Sequence, residues 1–153
     1  MKIMELSLAV KFAILSSGIF LWIGMCTGVW KYAAIRSSPQ FRAHYYIDIS
    51  HRASLLYAPA CLILAVLAYF STWSATTNLL CVIANLVFFF ASVLSYIIHG
   101  ILKDTNNQFR KPHQVAKWTL PSILMTLFML ALIVAEVGAT LVLCLGTAKF
   151  LFG

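Results

Sequence analysis

An all-α bundle of four membrane-crossing helices is the fold this sequence predicts, and three observations predict it. Hydrophobic residues make up 62% of the 153-residue chain and charged residues only 10%, whereas a soluble domain needs about 25% charged residues to cover its surface. The apolar residues gather in four runs of membrane-spanning length. The basic residues all fall outside those runs. These features exclude a soluble catalytic domain, a disordered chain and a disulfide-rich secreted fold. The excess of 11 basic over 4 acidic residues is explained by orientation in a lipid bilayer, and no nucleic-acid partner is expected.

The first run, residues 12–30, carries no charge. Its length, about 29 Å as a helix, matches a hydrocarbon core of roughly 30 Å. Glu5 and Lys11 make a poor signal-peptide start, so this run is expected to be a span, with helix 1 over about 8–30. The second run, 55–73, contains Pro59, which membrane helices tolerate. Polar residues at helical spacing extend it backwards, giving a helix over about 42–73. The third helix is expected over about 77–101, joined to the second by a very short loop. The fourth is expected over about 118–147, with Pro121 near its start. The four helices form one domain, 1–153.

Two longer loops, 31–40 and 103–117, emerge on one side. That side holds Lys31, Arg36, Arg42, Arg52, Lys103, Arg110, Lys111 and Lys117, against Lys2, Lys11 and Lys149 on the side of the termini. The bias places the loops in the cytoplasm and both termini outside. A multi-pass protein of a bacterial inner membrane, with its histidine-bearing face cytoplasmic, is the expected localisation. Gly24 and Gly28 form a small-xxx-small pair that lets another helix approach closely, within the subunit or between subunits. The four cysteines lie in apolar runs without a CxxC pair and read as small buried hydrophobes.

His44, His51, His99 and His113 all fall on the loop side, as do Asp48 and Asp104. Polar groups near hydrocarbon need a partner or a role. His44, Asp48 and His51 stand at i, i+4 and i+7, one helix face, where imidazoles and a carboxylate suit a divalent metal or one histidine suits a haem. The alternative is interfacial residues bonded to loop carbonyls and lipid phosphate. On helix 3, Asn85, Ser92 and His99 form a stripe with Ser95 and Tyr96 beside it. His99 then meets helix 2 near His44 or His51. Arg42 and Arg52 flank the cluster as cofactor-binding cations. His51, Tyr57, Tyr96, His99 and Asp104 are the candidate catalytic groups, and Asp104 has capping or pairing with Arg52 as its plainer role. Glu136 is the only carboxylate deep in a span. It is expected either to relay protons or to anchor helix 4 to Asn85, a serine or a threonine. His113 is expected to be a solvated loop residue.

The span with Gly24 and Gly28, then Trp30, Ser38-Pro39 and Arg42-Ala43-His44, resembles membrane-bound styrene oxide isomerase. It is more distantly similar to the microsomal glutathione transferase superfamily of four-helix trimers. Ser50-His51 stands where the isomerase has Asn-Gly. The resemblance implies a homotrimer with ferric haem b, an axial ligand at His44, and Lewis-acid opening of an epoxide. The function expected is therefore a haem- or metal-dependent membrane enzyme acting on a small hydrophobic substrate. A membrane haem electron carrier, a non-catalytic accessory subunit and a small transporter are the alternatives.

Overall fold

The computed structural model describes residues 5–153. Lys2, counted above among the terminal cations, lies outside them. Among the described residues, four helical spans are long and apolar enough to cross a membrane: α1 (Leu8–Arg36), α2 (Tyr45–Phe70), α3 (Ala75–Leu102) and the composite span Ser122–Phe152. The chain is a multi-pass helical membrane bundle.

α1 starts where Ser7 caps the Val10 amide, and it runs to Arg36, a turn and a half past the end of its apolar run. The extension is possible because Lys31 pairs with Asp48 on α2 and Arg36 is exposed. α2 starts at Tyr45, after His44 as its cap. The start falls three residues after the expected 42 because His44, with ψ 145°, is still extended. α3 begins behind the Ser74 cap and stops at Lys103, whose φ of 51° lets its amide close on the His99 carbonyl. The loop that follows contains a short antiparallel hairpin, β1 (His113–Val115) paired with β2 (Trp118–Leu120). This takes the start of the fourth span from 118 to Ser122.

α1 and α2 make the tightest pair, and the small-xxx-small motif is spent there. A Cβ at Gly24 would sit 2.6 Å from Leu55, and one at Gly28 would sit 2.9 Å from the His51 ring. Glycine at both positions lets the helices touch. The His51 Nδ1–H then donates to the Gly24 carbonyl at 2.8 Å. Below this, Phe20 stacks on Phe90 and meets Tyr57 and Phe89, forming the middle of the core.

The fourth span has two halves. α4 (Ser122–Ile133) buries no residue, and a π-helical turn (Val134–Gly138) joins it to α5 (Ala139–Phe152), which buries Leu143, Gly146 and Thr147. α5 is held by polar bonds. Trp73 Nε1–H donates to the Val142 carbonyl at 2.7 Å, Thr147 Oγ1–H to the Leu67 carbonyl at 2.9 Å, and Thr140 Oγ1–H to Asn85 Oδ1 at 3.1 Å. The interhelical anchor to Asn85 is therefore Thr140, one turn beyond Glu136.

Candidate functional site: a cleft between α3 and α4

Because α4 stands off from α3, an apolar cleft of about 460 Å³ opens between them. Leu124, Met125, Phe128, Met129 and Leu132 line one wall. These positions recur at helical spacing and form the inner face of α4. The opposite wall is the α3 stripe Ser92, Ser95, Tyr96 and His99, and Gln108 and Phe109 from the loop complete the lining.

His99 is buried at the loop end of this cleft. Its Nδ1–H donates to Asp104 Oδ1 at 2.8 Å, and Asp104 Oδ2 accepts the Ala116 amide at 2.8 Å. Ala116 lies in the two-residue hairpin turn with φ 53°, so the carboxylate ties that turn to the end of α3. Burial alone would raise the Asp104 carboxyl. The bonds from the Ala116 amide and the His99 ring outweigh it and hold the carboxyl below its usual value. A carboxylate on Nδ1–H fixes the imidazole tautomer and directs the lone pair to Nε2.

Asp104 also lines a polar hollow of about 580 Å³ at the loop end, shared with His44, Lys103, Asn106, Arg110 and Lys111. The pair thus stands in the wall between an apolar cleft and a polar, basic hollow. Tyr46 braces it. Its ring lies 5.1 Å from His99, and its hydroxyl accepts the Gln108 amide at 2.6 Å. Ser95 Oγ–H donates to Gln108 Oε1 at 3.0 Å. His113, expected to be solvated, is buried and donates from Nδ1 to the Gln108 carbonyl at 3.1 Å.

The chain matches no family model, no curated protein and no solved structure.

The other sequence-predicted residues are distributed as follows. Tyr96 lines the cleft. Tyr57 hydrogen-bonds to Ser92, a cleft residue, and stacks on Phe89 at 4.2 Å. Asp48 pairs with Lys31 and, at 3.0 Å, with Arg52, so Arg52 is engaged there and not with Asp104. His51 is packed against α1, and Arg42 is exposed on the first loop. His44 caps α2, its Nδ1 accepting the Tyr46 amide at 3.4 Å, and it hydrogen-bonds to the Asn106 side chain. Burial and then the nearby Lys103 hold the His44 ring below the usual imidazole value. His44, Asp48 and His51 share a helix face in sequence, yet each is bonded to a different element. Among the described residues no group of three or more His, Cys, Asp or Glu is arranged to hold a metal ion.

His44 also bears on the ferric haem that the isomerase resemblance implies. With Nδ1 accepting the cap proton, Nε2 carries the ring proton. In this arrangement neither nitrogen offers a lone pair to iron, so His44 does not fit an axial ligand without giving up the cap.

Two contributors to the site were missed in the sequence: the Ala116 amide and the buried His113. No periodicity marks a loop residue as part of a site. The one available signal was Asp104 itself, a carboxylate just after a helix end in a chain with 4 acidic residues.

Proposed function

We propose that the protein is a membrane enzyme that admits a small hydrophobic substrate into the α3–α4 cleft and transfers protons there through His99, oriented by Asp104. The observation that carries the reading is the 2.8 Å His99–Asp104 bond in the wall of an apolar cleft. An imidazole held in one tautomer by a carboxylate serves as a general acid–base group. The basic hollow on the far side of Asp104 gives the pair a route to water. Isomerisation of an epoxide fits this chemistry. Once Nε2 has taken a proton from water through the basic hollow, His99 gives that proton to the epoxide oxygen as a C–O bond breaks, hydride shifts from the oxygen-bearing carbon to its neighbour, and the hydroxyl proton returns to Nε2 as the carbonyl forms. Tyr96, Ser92, Ser95 and Gln108 are the cleft's further polar side chains.

The test is purified protein in detergent or proteoliposomes with styrene oxide. Formation of phenylacetaldehyde, lost in His99→Gln and strongly reduced in Asp104→Asn, is expected. Mass spectrometry is expected to find slow alkylation by the epoxide on His99 before His44 or His113. Equal turnover in wild type and His99→Gln, or alkylation elsewhere first, would overturn the proposal. The haem reading predicts instead a Soret band that disappears in His44→Ala and turnover that survives His99→Gln.

A further inference from the structure

Glu136 is unaccounted for by the packing of the bundle. Its Oε1 is buried and has no hydrogen-bond partner among the described residues. Buried carboxylates are normally paired, and the anchoring role expected of Glu136 is filled by Thr140 on Asn85. No protein cation within the membrane is available, because residues 53–102 and 118–148 contain neither lysine nor arginine.

Position sharpens the anomaly. Glu136 lies in the π-helical turn, one helical turn beyond Leu132, which with Ser92 marks the inner end of the cleft. π-turns inside α-helices recur at functional sites. Two aromatic rings, Tyr57 and Tyr96, are within electrostatic reach of the carboxyl group. Tyr96 lines the cleft, and Tyr57 bonds to Ser92, which also lines it. An unpartnered carboxyl oxygen at the end of an apolar cleft in a low-dielectric site is a receptor for an organic cation, for which it supplies the counter-charge.

We infer that the inner end of the α3–α4 cleft binds the ammonium group of a small hydrophobic amine, with Glu136 as its partner. This rests on the reading of the cleft as the binding site and adds a cation subsite at its inner end, away from His99. The amine enters with its apolar body between α3 and α4, and its ammonium donates to Glu136 Oε1.

The experiment measures saturable binding of two probes of similar size and shape to the full-length protein in micelles, by equilibrium dialysis against protein-free micelles. The probes are 4-phenylbutylamine, cationic at neutral pH, and butylbenzene, the hydrocarbon without the donor. The amine is expected to bind at least tenfold more tightly than the hydrocarbon. In Glu136→Gln that preference is expected to vanish, while butylbenzene binds as before and thereby reports an intact cleft. Equal binding of the two probes by wild type, or an amine preference retained in Glu136→Gln, overturns the assignment to Glu136 alone. Saturable binding of neither probe overturns it together with the reading of the cleft.

Discussion

Ser122–Ile133 and Ala139–Phe152 belong to one membrane-crossing span, but only the second is packed into the bundle. Both are apolar. The difference is that α5 presents Gly146 and Thr147 to α2 and its connection to α3, receives the Trp73 indole on a carbonyl, and follows the Thr140–Asn85 bond. α4 offers leucine, isoleucine, methionine and phenylalanine, and its one hydroxyl partner is internal, Thr126 to the Ser122 carbonyl. Lipid is as apolar as leucine, so hydrophobicity does not press one membrane helix against another. Small residues and interhelical hydrogen bonds do. The cleft therefore goes with an α4 that makes no interhelical hydrogen bond among the described residues and turns leucine, methionine and phenylalanine to α3. The whole fourth span buries 6% of its apolar window, against 33–39% for the other three.

The comparison can be broken at its fastenings. The largest effect is expected where α4 is reached through the loop. Asp104→Ala removes the partner of buried His99 and the anchor of the Ala116 turn together. A loss of about 3 kcal/mol is expected, with faster amide exchange across the hairpin. Because the Asp104 carboxyl is lowered in the folded protein, its contribution is complete above the usual carboxylate range. It is lost as pH falls through the lowered value. An unfolding series in detergent should show this acid loss in wild type and not in Asp104→Asn.

Next in size is the α1–α2 contact. Gly28→Ala places a methyl 2.9 Å from the His51 ring, and about 1–3 kcal/mol of overpacking is expected. Part should be recovered when His51→Ala is added, and a double-mutant cycle reads that coupling. Trp73→Phe keeps the ring and drops the bond to the Val142 carbonyl. About 1 kcal/mol is expected, with greater mobility in α5. The smallest effect on stability belongs to α4. Met129→Trp fills the cleft against residues that pack on little, so a change within about 0.5 kcal/mol is expected, while butylbenzene binding is lost.

The sequence made the spans legible because charge-free runs of bilayer length have few other readings. It placed His99, Tyr96 and Asp104 at one end, because α3 and the loop after it are continuous in the chain. It did not reveal that His51 turns to Gly24, since a helix face names the residues on it but not the neighbour they meet. The His44, Asp48 and His51 face looked like one ligand set, and the structure divides it among a cap, an ion pair and an interhelical bond. The cleft was equally out of reach. Its inner wall is a run of apolar residues indistinguishable, in sequence, from a packed helix face.

The most direct test of the central claim is nitrogen NMR of protein labelled with ¹⁵N-histidine. The account predicts that His99, assigned by its loss in His99→Gln, carries its ring proton on Nδ1 and a bare Nε2. It also predicts that both resonances move on saturation with butylbenzene, and do not move in Met129→Trp. A His99 ring indifferent to the probe in wild type would contradict the claim that this histidine faces the binding cleft.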